Sequence, residues 1–245
     1  MQLNSISTLP PNDLSKKEAR AQTKQWVKRI GELQNILFAQ AKHSVLVIFQ
    51  GMDASGKDGA VRTVFEECHP QGIKVKSFKK PTEEEFAHDF LWRVHKECPA
   101  KGMIQIFNRS HYEEVLIQRV HRWIDDEMVD KRFESINAFE RLLQYGSNTV
   151  VLKFYLHISE DQQAIELQQR LDEPEKYWKH NDNDWKEREH WEEYRKAYQD
   201  VIDRSEIPWY IVPVDKRWYR DYVVAKTLAE ALEKLNLEYP PLERD

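Results

Sequence analysis

The residues with the clearest chemical promise lie in one loop. Positions 51–59 read GMDASGKDG. Gly51, Gly56 and Lys57 have the G-x-x-x-x-G-K spacing of a phosphate-binding P-loop. Gly51, Gly56 and Gly59 let the backbone turn tightly beside a ligand. Successive N–H groups from Ala54 through Ser55 and Gly56 to Lys57 would cradle phosphate oxygens at a helix N-terminus. Lys57 supplies a mobile point charge for a transferring phosphoryl group. Two features depart from the usual loop. The residue after the lysine is Asp58, where a Ser or Thr hydroxyl normally holds Mg²⁺, and a second carboxylate, Asp53, sits inside the loop. Asp58 either replaces the hydroxyl ligand by position or caps the following helix. An ordinary glycine turn does not explain a lysine directly behind Gly56.

A second group is IQIFNRSHYEEV, residues 104–115. Polar side chains crowd the end of an apolar run there, where a P-loop fold keeps the acidic residue beside its metal. That position holds Asn108, a neutral ligand. Arg109 can stabilise charge on a transferring phosphoryl group. His111 reads as a structural donor ahead of a general base. Lys74, Lys76, Lys79 and Lys80 follow in one short window. The first two suit a solvated edge strand, where lysines deter pairing. Lys79 and Lys80 fall at that strand's end, near the expected site. Residues 170–191 are very polar and carry three tryptophans. They read as a mobile lid whose Arg170, Lys176, Lys179 and Arg188 are spaced to swing over phosphates and exclude water.

These groups need a scaffold that points strand ends to one side. Residues 44–50, SVLVIFQ, form a continuous apolar, β-branched run, the mark of a strand buried on both faces. Further strands are expected over 73–78, 103–107, 150–157 and 209–214. Between them lie helical patterns, with Thr82-x-x-Glu85 as a capping box that opens a helix bearing Phe86, Phe90, Leu91 and Val94 on one side. Gly146 is a plausible stop for the helical stretch after the third strand. Alternation of this kind predicts a parallel sheet flanked by helices, with the ligand at one end of the strands. Ahead of the first strand, residues 14–42 read as a long helix with Trp26, Ile30, Leu33 and Leu37 on one face, lying outside the core or against a partner subunit. Residues 1–12 are polar, with Pro10-Pro11, and read as a loose arm.

Bulk properties narrow the classes. The 245 residues carry a net charge of −5, so no global attraction to nucleic acid or anionic membranes exists, and a polyanion needs a local basic patch. No apolar run is long enough to span a membrane, and the N-terminus lacks a signal-peptide core. Cys68 and Cys98 form no metal or redox pattern. A cytoplasmic protein follows as the expectation.

Taken in order, GMDASGKDG, SFKKPTEEEFAHDFLWR, IFNRSHYEEVL, EPEKYWKHNDNDWKER and PWYIVPVDKRWYR resemble the polyphosphate kinase 2 family, closest to members that accept AMP as well as ADP. The resemblance covers residues from about 14 to 240. It implies one domain over 1–245 with a P-loop kinase fold of the thymidylate-kinase type. That is a three-layer αβα arrangement with a five-stranded parallel sheet, an N-terminal helical extension and a helical lid at about 170–192. It also implies transfer of the terminal phosphate of inorganic polyphosphate to AMP and ADP, giving ADP and ATP, with Mg²⁺, or Mn²⁺ in its place. Carried over by position, Asp53 binds metal and positions the acceptor, with Asp58 as a second candidate ligand. Asn108 and Arg109 form the Walker-B-like pair. Glu113 bears on AMP use, since the ADP-only class has Asn there. Arg93 joins it on the nucleotide. Arg170 and Lys179 match lid positions that meet phosphates, and Lys80, from its place at the strand's end, is expected to join them. A homo-oligomer, dimer or tetramer, is expected. The alternatives from the residues alone are an ATP-dependent small-molecule kinase on the same fold, or a binding module without turnover.

Overall fold

The computed structural model describes residues 2–242; Met1 and residues 243–245, which the expected 1–245 domain includes, lie outside the described residues. In chain order the main elements are α1 (Lys16–Gln40), β1 (Ser44–Gln50), α2 (Lys57–Val64), β2 (Ile73–Ser77), α3 (Glu83–Phe86), α4 (Trp92–His95), β3 (Ile104–Asn108), α5 (Ile117–Val120), α6 (Asp126–Ser147), β4 (Thr149–His157), α7 (Glu160–Asp172), α8 (Asp182–Glu187), α9 (Trp191–Arg204), β5 (Trp209–Pro213) and α10 (Arg217–Glu233). All strand pairings are parallel, in the order β2-β3-β1-β4-β5. This is the expected three-layer α/β architecture.

Sequence explains the order. Every residue of β1 is buried, as its unbroken apolar run requires of a central strand. Val45 lies opposite Ile104 on β3 and Val150 on β4. β2 is an edge strand, with Val75 half exposed and Lys76 paired to Glu97 at 2.7 Å, so the solvated-edge reading of its lysines holds.

Four expectations change. First, α1 belongs to this domain's own core. Ala19, Val27, Ile30, Leu33 and Leu37 are buried, and the helix packs along α10, whose Val224, Leu228 and Leu232 are also buried. Arg29 reaches Glu233 at 3.0 Å. The apolar face therefore covers neighbouring core, and no partner is needed to bury it. Second, the arm is docked. Leu3 is buried, and its N–H donates to Gln199 Oε1 at 2.7 Å. Thr8 Oγ1 donates to Asp215 at 2.7 Å, and the Asp215 N–H donates to the Thr8 carbonyl at 3.2 Å. Specific pairing, invisible in polar composition, fixes it. Third, the Thr82–Glu85 capping box forms, but its helix ends after one turn and leaves Phe86 exposed. Asp89 Oδ1 accepts from the Leu91 N–H at 3.0 Å and restarts the chain into α4. Fourth, α6 runs through Gly146 and stops at Asn148, which takes the left-handed conformation. No described helix is long and apolar enough to cross a membrane.

Candidate active site

The polar groups converge beyond the C-terminal ends of β1 and β3, as in open parallel sheets generally. Two backbone positions require glycine. Gly51 has φ +150°, and a β-carbon there would lie 2.7 Å from the Leu156 carbonyl oxygen. Gly56 has φ +90°, and a β-carbon would collide with Arg220 Nη1. Arg220 is buried, held by Asp221 at 2.6 and 2.8 Å, and donates to the Gly56 carbonyl at 3.1 Å. It clasps the loop from α10. Sequence reasoning missed it, although it ends the PWYIVPVDKRWYR motif; an arginine beside an aspartate on the closing helix was the available signal.

Lys57 is buried. Its ammonium donates to the carbonyls of Gly51 at 2.8 Å and Met52 at 3.1 Å, and approaches Ser55 Oγ at 3.4 Å. Burial, then the nearby Arg109 charge, lowers its pKa from 10.5 to about 8, against the pull of Asp53, Glu113 and Asp58. Arg109 takes the left-handed region, φ +62°, a costly conformation for a long side chain. Its N–H donates to the Phe49 carbonyl at 3.0 Å, which pins the kink to the end of β1. The kink turns the guanidinium between Asp53 and Glu113, the latter at 3.2 Å. Glu113 first, with Asp53 also contributing against burial, raises the Arg109 pKa further above its already high value. Glu113 also accepts from Gln50 Nε2 at 2.9 Å.

The bonds of the Asp58 carboxylate lead away from the α2 backbone. One oxygen accepts from Asn108 Nδ2 at 2.6 Å, the other from Lys179 Nζ at 3.2 Å. Burial acts to raise its pKa, but Lys179 and Asn108 outweigh burial and bring it below the usual carboxylate range. The segment 170–191 supplies two further links. Arg170 donates to Asp184 at 2.5 Å and to the Lys179 carbonyl at 3.1 Å. Arg188 donates to Gln163 at 3.1 Å, and Gln163 donates to the Asp53 carbonyl at 3.0 Å. A cavity opens between these parts. Asp53, Arg109, Glu113, Leu116, Trp191 and Tyr198 are among the residues that line it.

The structure thus gathers Gly51, Asp53, Ala54, Ser55, Gly56, Lys57, Asp58, Gly59, Asn108, Arg109, Glu113 and Lys179 around one loop, with Arg170 behind Lys179. The other two expected residues, Arg93 and Lys80, lie in the segment that follows β2. Arg93 is buried and taken up by the Lys79 carbonyl at 2.9 Å, Glu85 at 3.4 Å and Glu114 at 3.5 Å, so its contacts brace the segment after β2. Lys80 is exposed just beyond β2. His111 is buried with Nε2 3.3 Å from Glu140. Burial lowers its pKa despite that carboxylate, and it is the structural group expected. Among the described residues no group of three or more His, Cys, Asp or Glu side chains could hold a metal alone. The donor set nevertheless fits Mg²⁺, which takes one or two carboxylates and completes its shell with water and substrate phosphates. The carboxylates beside the loop are Asp53, paired with Arg109, and Asp58, paired with Lys179.

A strand, a glycine loop clasped from behind, a buried lysine and an arginine at the next strand's end define a P-loop phosphotransferase. The polyphosphate kinase 2 family profile matches residues 13–240. The AMP/ADP-polyphosphate phosphotransferase of Meiothermus ruber is 47% identical over 219 residues, covering 88% of this chain and 82% of that protein. The ADP-polyphosphate phosphotransferase of Rhodopseudomonas palustris is 42% identical over 229 residues, covering 87% and 79%. The crystal structure of polyphosphate kinase 2 from Arthrobacter aurescens TC1 superposes with a TM-score of 0.96 at 39% identity, covering 100% of this chain and 89% of that one. The chain belongs to the polyphosphate kinase 2 family.

Proposed function

We propose that this protein transfers the terminal phosphate of inorganic polyphosphate to AMP and to ADP, giving ADP and ATP. The observation that carries the reading is the convergence of Lys57, Asp53, Arg109 and Glu113 at the ends of β1 and β3 in a chain of this family. Two polyanions have to meet in the site. An anionic oxygen of the acceptor phosphate attacks the terminal phosphorus, and the bond to the rest of the polyphosphate breaks. The attacking oxygen is already anionic near neutral pH, so no general base is required, consistent with the burial of His111 against Glu140. The loop N–H groups and Lys57 hold the donor's terminal phosphate. Arg109, anchored by Glu113, neutralises charge that spreads over the transferring group. Asp53 orients the acceptor and would hold Mg²⁺, which when bound screens the phosphates.

Composition supports a cytoplasmic setting, since Cys68 and Cys98 are unbridged thiols. The expected homo-oligomer loses the support drawn from α1, whose apolar face is used within the domain. The decisive experiment is a donor–acceptor matrix: polyphosphate or ATP against AMP, ADP, GMP and GDP, with Mg²⁺. Polyphosphate with AMP should yield ADP and then ATP. Turnover with ATP as the sole effective donor, or no turnover, rejects the proposal.

A further inference from the structure

We propose that Asp58 is the point where the lid docks on the P-loop, and that its carboxylate holds on Lys179 the place a donor phosphate takes during turnover. The inference rests on the polyphosphate reading for the identity of that donor, but the docking contact stands on geometry alone.

Both oxygens of Asp58 are engaged, one by Asn108 at 2.6 Å and one by Lys179 at 3.2 Å. The residue that replaces the hydroxyl ligand therefore bridges the end of β3 to the lid. Lys179 is set for this from behind. It ends the short 3-10 turn Pro174–Lys179. Its carbonyl accepts from Arg170 at 3.1 Å, and Arg170 is fixed by Asp184 at 2.5 Å. With the backbone held, the ammonium reaches forward to α2, passing 4.9 Å from the Trp178 ring centroid. The link through Arg188, Gln163 and the Asp53 carbonyl does not involve Asp58. Loss of the Asp58 contact would thus free the tip and leave the base of the lid in place.

The pair is built to exchange. The Asp58 side chain is 60% exposed and that of Lys179 36%, and ion pairs open to water are weak. Polyphosphate carries about one negative charge per phosphate, so a neighbouring row of phosphates competes well against one carboxylate. Asp58 then keeps Lys179 beside the loop and yields it when the donor arrives. A metal ligand at this position would behave oppositely, because its removal would weaken donor binding.

Binding of a polyphosphate of defined length, with Mg²⁺ and no nucleotide, should be measured calorimetrically for wild type, Asp58→Asn, Lys179→Ala and the double variant. Asp58→Asn should tighten binding about three- to tenfold, Lys179→Ala should weaken it, and the gain from Asp58→Asn should vanish in the Lys179→Ala background. Amide exchange over residues 174–181 should rise several-fold in Asp58→Asn without polyphosphate and return toward wild type when it is added. Weaker binding in Asp58→Asn, or an equal gain in the Lys179→Ala background, overturns the exchange of partners. If wild type binds no polyphosphate, the functional reading is what fails. Amide exchange then decides the docking contact alone: a rise supports it, and an unchanged rate overturns it.

Discussion

Two ionic clusters lie on either side of Ser110, built from the same residue types and put to opposite uses. In the cleft, Arg109 sits between Asp53 and Glu113, and Lys179 meets Asp58. Beneath the turn His111–Val115, Lys153 donates to Glu140 at 2.7 Å and to the Tyr112 hydroxyl at 2.6 Å, and that hydroxyl donates to Glu140 at 2.9 Å. Every member of the lower cluster is sealed from water. Burial acts to raise the Glu140 pKa, but His111 and Lys153 together hold the carboxyl below its ordinary range. A cluster that no ligand can reach cannot exchange partners; its role is to fix the turn that follows Arg109 and carries Glu113. In the cleft the Asp58–Lys179 pair is open to water, and Arg109 is partly exposed between Asp53 and Glu113. Accessibility separates these two clusters, whereas Lys57 is buried like the lower one, against the Gly51 and Met52 carbonyls.

The sharpest break of this comparison is a pair of substitutions. Lys57→Ala should cut phosphoryl transfer at least about a thousandfold, on the order of 4 kcal/mol of transition-state stabilisation, while the protein stays folded, because the loss of a desolvated charge offsets the loss of its bonds to the Gly51 and Met52 carbonyls. Glu140→Ala should cost about 3–5 kcal/mol of stability by urea unfolding, since it strands a buried lysine. A folded, stable Glu140→Ala protein beside an unfolded Lys57→Ala protein would reverse the assignment.

A pH profile sharpens it further. With a pKa of about 8, Lys57 is charged below that pH and neutral above it, so kcat/KM should fall as pH rises through about 8. The linkage runs the other way for stability. The unfolded lysine keeps its proton up to 10.5, so the cost of burying the charge is greatest below about 8. That cost is relieved as pH climbs from 8 toward 10.5. A flat kcat/KM up to pH 9.5 would contradict the buried, charge-dependent role. The smallest effect concerns acceptor choice. Glu113→Asn should reduce AMP phosphorylation about five- to tenfold more than ADP phosphorylation, roughly 1 kcal/mol of discrimination; equal losses would remove Glu113 from that role.

Much of this was legible before any coordinates. The strand–loop–helix around Lys57 and the lysine-bearing edge strand follow from local spacing and composition, and both appear as expected. The contacts that shape the site are long-range. Nothing near Gly56 announces Arg220, and nothing near Asp58 announces Lys179. Glu140 lies on a helix that reads as simply amphipathic. Lys153 did leave a trace, as a charge in the middle of VVLKFYLH, where a buried strand demands a partner. The expectation for α1 failed for a related reason: an apolar helical face is visible in sequence, but what covers it is not. Arg93 was read from its place in a motif, and the structure surrounds it with carboxylates and a carbonyl.

The central claim is that phosphate passes from polyphosphate to the nucleotide in the Lys57 cleft. Polyphosphate bearing a radiolabelled terminal phosphate, incubated with AMP, Mg²⁺ and no other donor, tests it most directly. The mechanism predicts label in the β-phosphate of ADP with wild type and none with Lys57→Ala. Unlabelled ADP, no ADP at all, or equal labelling by the Lys57→Ala variant would contradict it.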